Sequence, residues 1–433
     1  MRFFYFCIMI EKIYTLFKET HKISTDTRKI EKGSLFFALK GDNFNANKFA
    51  KEALDKGASY VIVDEKEYLT DKRIILVNDV LETLQDLASH HREKLGIPII
   101  SLTGSNGKTT TKELINIVLE KKFKTTATKG NLNNHIGVPL TLLSMDEDTE
   151  IGIVELGANH PKEIAFLCSI VKPDYGYITN FGKAHLEGFG SLEGVIKAKT
   201  ELYDYLKEHK KTVFVNSNDV IQVEKAKKIK SISFGTQKAD YPIEFVSANP
   251  FVKVKLDKIE IESKLIGSYN YNNISAAITI GRAFNVSIIE AKEAIESYQP
   301  TNNRSQIITI GSNKIILDAY NANPSSMKCA LDNFIQLSDK NKIAILGDMF
   351  ELGAYAAEEH QAIVTYLEKS NLEKVYLLGE NFKKTEIQSK KINCFKNYSD
   401  FESHFKKNTV ENTTFLVKAS RGMALERVLD LIN

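Results

Sequence analysis

Residues 97–110 read IPIISLTGSNGKTT, and this stretch decides the fold. An apolar run of strand length ends at Thr103 and Gly104, and a helical pattern starts at Lys108. The turn between them holds two glycines. Glycine lets the backbone curl so that successive N–H groups point at one anion. The helix that follows adds the positive end of its dipole. Gly104, Ser105, Asn106, Gly107, Lys108, Thr109 and Thr110 are therefore the expected triphosphate-binding residues. Lys108 can reach the terminal phosphates and the Thr109 hydroxyl can ligate magnesium. The first glycine sits three residues before the second, so this is a shorter variant of G-x-x-x-x-G-K-[ST]. The bland alternative, a tight turn with a solvated lysine, does not account for the strand–loop–helix setting. A nucleotide switch or motor would use the same loop, but with a strand-end Asp for magnesium and a γ-phosphate sensor.

Upstream, residues 1–96 alternate short apolar runs with helical patterns: SLFFAL, a helix over 46–56, YVIV, RIILV and a helix over 80–95. Gly96 and Pro98 punctuate a boundary. Residues 97–300 continue with IGIVEL, YGYITN and VFVN between helices, which implies a mostly parallel sheet with crossovers. Residues 241–265 alternate with period two, as an antiparallel addition would, and a helix over 270–284 closes the unit. Residues 301–433 restart the rhythm with KIILD, KIAILG, KVYLLG and FLVK, as in a Rossmann-like domain. That part has no G-x-G-x-x-G and is not read as a dinucleotide site. The expected fold is thus α/β in three domains, 1–96, 97–300 and 301–433, around a central P-loop sheet. The length of 433 residues agrees with about three domains at roughly 150 residues each.

Composition excludes other classes. Hydrophobic residues make up 43% and charged residues 26%, and 58 Lys and Arg stand against 55 Asp and Glu. That balance gives no reason to expect nucleic acid or a membrane surface as partner. Residues 1–10 are apolar, but Glu11 and Lys12 follow at once instead of a cleavage site, and an amphipathic stretch comes next. No apolar run approaches the ~20 residues that span a bilayer. A cytoplasmic monomer is expected, translated from Met1 or Met9. Cys7, Cys168, Cys329 and Cys394 lie far apart and read as reduced, mostly buried thiols.

Three further residues bear on chemistry. Glu155 ends the IGIVEL run, and a strand-end carboxylate in an open α/β sheet faces the ligand crevice. It is placed to hold magnesium near Thr109. His185, in TNFGKAHLEGFGS, is an unusual magnesium ligand and reads equally as a structural or a general acid–base residue. By charge pattern alone Lys199, in GVIKAKTELY, reads as a solvated helix lysine.

These segments, with GSYNYNNISAA, resemble the Mur ligases, which build the peptide of bacterial cell-wall precursors. Folylpolyglutamate synthases share the loop type and the three-domain plan. STDTRKIEKGSLFFALKGDNF, KGNLNNHIGVPLTLL, DAYNANPSSM, LGDMFELG and VKASRGMALE resemble the branch that joins D-alanyl-D-alanine to UDP-N-acetylmuramoyl-tripeptide, and the likeness runs from Ser24 to Glu426. The resemblance implies the following roles. Lys108 and Arg304 would act on the ATP phosphates. Thr109 and Glu155 would hold one magnesium ion. Lys199, as a carbamate, would share a second with His185. Asn270 and Asn273 would contact adenine. Asp318, Tyr320, Asn321 and Asn323 would line the nucleotide and amine side of the third domain. Ser24, Thr25, Asp26, Thr27 and Arg28 would hold the uridine nucleotide. Asn131, Asn133, Asn134, Asn159 and His160 would face the peptide substrate. Relatives often carry Asp-Gly-His where this chain has Asn45-Ala46-Asn47, and Gly where it has Asn303. The implied activity is an ATP- and magnesium-dependent, ADP-forming ligation through an acyl phosphate, with the third domain closing about a hinge near 298–304 to exclude water. A sister ligase for another amine, a folylpolyglutamate synthase-like enzyme, and an ATP-binding scaffold without catalysis are the alternatives.

Overall fold

The computed structural model describes residues 2–235, 238–301, 303–406 and 410–432, with backbone alone over residues 2–7. Among the described residues three large sheets carry the chain, beside a two-stranded ribbon of Lys40–Gly41 and Phe44–Asn45. The first has four parallel strands in the order Ile23–Ser24, Leu35–Phe37, Tyr60–Val63, Ile74–Leu76. Its covering helix Val80–Leu95 is capped by Asp79, whose Oδ1 accepts from the Glu82 N–H at 2.8 Å. The expected helix over 46–56 divides into a 3₁₀ turn, Ala46–Phe49, and a short α-helix, Ala50–Asp55. The apolar start of the chain is helical from Arg2 to Thr20, and Ile13 and Phe17 enter the core. No helix of the described residues is long and apolar enough to cross a membrane.

The central sheet has nine strands. Ile99–Thr103 lies between Tyr175–Ile178 and Ile151–Glu155, all parallel. Every residue of Ile99–Thr103 and Ile151–Glu155 is buried, because helices cover both faces. At one edge Tyr241–Ala248, Phe251–Leu256 and Ile259–Ile266 form the antiparallel addition. Sequence order reverses on either side of Ile99–Thr103, so the crevice beyond its carboxyl end is a switch point where α/β sheets bind ligands. The third sheet repeats the device. Thr414–Lys418 lies between Asn313–Asp318 and Lys342–Gly347, again in parallel, and only Gln306–Ile310 at the edge runs antiparallel.

Packing joins these sheets unequally. One core runs without interruption from Leu35, Phe37, Leu84 and Leu87 of the first sheet region into Ile99, Val154 and Ile178 of the central one. Arg92 seals the join: its guanidinium donates to the Val171 and Lys172 carbonyls and lies 2.7 Å from Asp174. The third region has its own core, yet Leu186, Phe189, Val195 and Ala198 of the central region are part of it. Among the cysteines, Cys168 is buried, Cys394 half-buried and Cys329 exposed, so burial is less general than expected. Cys329 sits on the outer face of helix Pro324–Gln336, whose inner face is Met327, Ala330, Leu331 and Phe334. The Cys7 side chain lies outside the described residues.

Candidate active site

The phosphate loop is shaped by close approach. Gly104 has φ 142°, and a Cβ there would lie 2.0 Å from the Thr179 hydroxyl. Gly107 has φ 79° and would meet Asn273 Oδ1 at 2.8 Å. Only glycine fits at either position. Asn180 and Thr179, at the end of the adjacent strand, hold the loop from below. Asn180 Oδ1 accepts from the Asn106 N–H at 3.1 Å, and Thr179 donates to the Asn106 carbonyl at 2.6 Å. Ser105 Oγ donates to the Gly182 carbonyl at 2.9 Å. Asn180 carries no signal in the sequence beyond its place after a strand.

Helix Lys108–Leu119 starts at the loop. Lys108 Nζ donates to the Gly104 carbonyl at 2.7 Å. Burial pushes its ammonium below the ordinary lysine value; Glu155 opposes this and Arg304 adds to it. Thr109 Oγ1 donates to Glu155 Oε2 at 3.0 Å, and Asn133 Nδ2 donates to Glu155 Oε1 at 2.8 Å. Glu155 is 2% exposed. A hydroxyl and a buried carboxylate side by side at a helix N-terminus suit a hard, oxygen-loving cation. Among the described residues there is no cluster of three or more His, Cys, Asp or Glu that could hold a metal.

Lys199 departs from the expectation of a solvated lysine: it is 1% exposed. Ser191 caps helix Leu192–Glu208, and the face bearing Val195, Ala198, Lys199 and Leu202 turns inward. Its Nζ donates to the Ala158 carbonyl at 3.1 Å and lies 5.2 Å from the centre of the Phe189 ring. Burial, helped by Lys108, brings the amine down to about 7. His185 meets the same ring edge-on, with centroids 6.4 Å apart. Its Nδ1 lies 2.6 Å from Glu351 Oε2, although the ring N–H and the carboxylate are out of line for an ideal hydrogen bond. His185 holds the Glu351 carboxyl below the usual carboxylate range.

The third region presents its own strand ends to this crevice. Asn323 Nδ2 donates to Asn106 Oδ1 at 2.7 Å, and the Lys183 N–H donates to Ser325 Oγ at 2.9 Å. Lys183 Nζ is 2.6 Å from Glu359 Oε1. The Arg304 guanidinium lies 3.6 Å from the centre of the Tyr320 ring, and its Nε is buried without a hydrogen bond among the described residues. Asp318 accepts from the Ser305 N–H at 3.2 Å and pairs with Lys418 at 2.6 Å. Lys418 also donates to the Asn321 carbonyl at 3.1 Å.

The other expected site residues lie around the loop, the following turn and the first sheet region. Asn270 and Asn273 are buried beneath the loop: Asn273 accepts from Thr111 at 3.0 Å and donates to Asn270 at 2.7 Å. They support the phosphate helix from behind. Asn134 Oδ1 accepts from the Gly137 N–H at 2.9 Å just before helix Gly137–Leu143, and Asn131 and Asn134 are both exposed. The backbone N–H groups of Asn159 and His160 both donate to Glu163. In the first sheet region Ser24 is buried, and Asp26 holds Arg28 by two bonds of 2.9 and 2.8 Å. That pairing lowers the Asp26 carboxyl to about 2. Thr25 precedes the pair and Thr27 lies between its two members.

Comparison with known proteins follows the same division. Residues 19–101 match the model for the Mur ligase family catalytic domain, 102–281 the Mur ligase middle domain, and 303–421 the Mur ligase glutamate ligase domain. The UDP-N-acetylmuramoyl-tripeptide–D-alanyl-D-alanine ligase of Bacillus subtilis is 34% identical over 95% of this chain and 93% of its own length. The Escherichia coli protein of the same name is 30% identical over 94% and 92%. Among solved structures, MurF from Acinetobacter baumannii superposes with a TM-score of 0.86 at 28% identity, covering 96% of this chain and 97% of that one. MurF from Thermotoga maritima, in complex with ADP, gives 0.83 at 27%, covering 95% and 97%. Glycine turn, strand-end glutamate, buried lysine and facing third sheet thus occur together in a chain that belongs to the Mur ligase family, on its MurF branch.

Proposed function

We propose that this chain joins D-alanyl-D-alanine to UDP-N-acetylmuramoyl-tripeptide at the expense of ATP, making a peptidoglycan precursor. One observation carries the reading: the carboxyl ends of the central and third sheets meet at a single crevice, with Asn323 bonded to Asn106 in the phosphate loop. A triphosphate on the loop would there lie beside Arg304 and Tyr320. The ATP and UDP-linked substrates locate the work in the cytoplasm, and the proposed state is a monomer. The working domains are 1–96, 97–300 and 301–433.

The tripeptide carboxylate is a poor electrophile until it carries the γ-phosphoryl group. During that transfer Lys108 and Arg304 stabilise the negative charge spread over the phosphoryl oxygens. The buried Nε of Arg304, without a hydrogen bond among the described residues, suits such an anion. The dipeptide amine then attacks the acyl carbon, the C–N bond forms, and phosphate leaves with the carbonyl restored. Asp318, Tyr320, Asn321 and Asn323 form the wall from which the amine approaches. Ser24, Thr25, Asp26, Thr27 and Arg28 hold the uridine diphosphate end. Asn131, Asn133, Asn134, Asn159 and His160 border the peptide, and Asn270 and Asn273 steady the nucleotide side through the loop. Contacts across the crevice exclude water from the acyl phosphate.

Thr109 and Glu155 offer magnesium the oxygen donors it prefers; His185 and Lys199 would hold a second ion only if the lysine carries a carbamate. Bound there, magnesium supplies charge neutralisation between ATP and the carboxylate. The depressed Lys199 amine has the neutral form that reacts with CO₂ to give the carbamate and a proton.

The decisive test is phosphate release from ATP with UDP-linked tripeptide, with and without D-alanyl-D-alanine. Sustained release should require both substrates. Ligation without nucleotide consumption, or release indifferent to both peptides, would remove the reading. A second expectation concerns substrate grip. Arg28→Ala should raise KM for the UDP substrate about tenfold, the loss of ~1.4 kcal/mol expected for a charged contact, and leave kcat unchanged. An unaltered KM would exclude this segment from the nucleotide site.

A further inference from the structure

His185 and Glu351 share an unusual backbone. Both are left-handed, with φ 51° and 61°. A histidine and a glutamate adopt this region only when their surroundings hold them there. On the glutamate side, the Met349 N–H donates to His360 Nε2 at 3.0 Å and the Phe350 N–H to Ser420 Oγ at 2.8 Å. His360 is fully buried and Ser420 nearly so. These bonds tie the loop to the third region's interior. Across the crevice the Glu187 N–H donates to the Glu351 carbonyl at 3.1 Å, and Tyr355 Oη donates to the Gly190 carbonyl at 3.0 Å. A Cβ at Gly353 would lie 3.3 Å from Glu187 Cα, so the two loops touch. All this aims one carboxylate at one ring nitrogen, 2.6 Å away.

We infer that Glu351 is a positioning residue for His185: its carboxylate accepts from the Nδ1–H, leaves Nε2 to face the crevice, and does so only when the third region is docked. The inference rests on the proposed ligase reading. A carboxylate behind a functional histidine fixes both tautomer and ring orientation. Because the carboxylate comes from the third region and the ring from the central one, docking itself completes the site.

The test compares wild type with Glu351→Ala and Glu351→Gln. Glu351→Ala should lower kcat roughly 10- to 100-fold, with KM for ATP nearly constant. Glu351→Gln should recover most of the loss, because its amide oxygen still accepts from Nδ1. The second readout needs no turnover. In protein labelled with [¹⁵N]histidine and bound to a non-hydrolysable ATP analogue, the His185 signal, assigned by its absence in His185→Gln, should report a protonated Nδ1 in wild type and a tautomer mixture in Glu351→Ala. An unchanged kcat overturns the inference, and so does an unchanged ring signal in Glu351→Ala. A wild-type enzyme that fails to join the two substrates would instead refute the ligase reading, with the ring signal still deciding for or against the role of Glu351.

Discussion

Replacing Lys108 by alanine should cut ATP turnover by at least roughly a thousandfold, the scale of losing a cation aimed at a transferring phosphoryl group. The fold should survive. Among the described residues the Lys108 side chain makes one hydrogen bond, to the Gly104 carbonyl, and that bond lies within the loop. Burial disfavours its charged form, so truncation removes a desolvation cost along with a contact. The loop itself is held by bonds from Asn180, Thr179 and Ser105 that do not involve the lysine side chain. Thermal unfolding should therefore stay within a few degrees of wild type. A Lys108→Ala enzyme that ligates at a near-normal rate would remove the phosphate-loop assignment. An enzyme that no longer folds would show that the lysine is structural.

The separation of site from scaffold also explains what is legible in the sequence. The phosphate loop, the strand-end Glu155 and the antiparallel addition over 241–265 can be read because each depends on neighbours in the chain: two glycines, one apolar run, a period of two. The burial of Lys199 cannot. Its helix carries lysines and glutamates that look solvated, and only the third region's core, reaching across to Phe189, Val195 and Ala198, shows which face is inside. Asn270 and Asn273 illustrate the same limit. Their spacing puts them on one helical face, but not which object that face meets; it meets Gly107 and Thr111. Glu351 is the clearest case. LGDMFELG stands out as a motif, yet the carboxylate gains meaning only when a loop more than 150 residues earlier brings His185 to it. Long-range pairing leaves no local period to read.

Lys199→Ala should abolish ligation, by roughly a hundredfold or more, and its rescue would reveal what the lysine is. Two readings of the buried amine predict different chemistry. If it acts as the bare group that donates to the Ala158 carbonyl, added small acids do nothing for the alanine variant. If it acts as a carbamate, formate or acetate can enter the vacated space and supply oxygens, so activity should partly return with increasing acid. Stability against pH gives an independent check. The folded amine titrates at about 7 and an unfolded lysine near 10.4. Between those values the unfolded chain binds the extra proton, so stability should rise with pH across that window, by on the order of a few kcal/mol in total. Lys199→Ala should lose this rise. The cavity it leaves costs the same at every pH and would lower the curve without changing its slope. Parallel curves for the two proteins would mean that Lys199 keeps its proton in the folded state. No neutral amine would then be available, and the carbamate reading would fail with it.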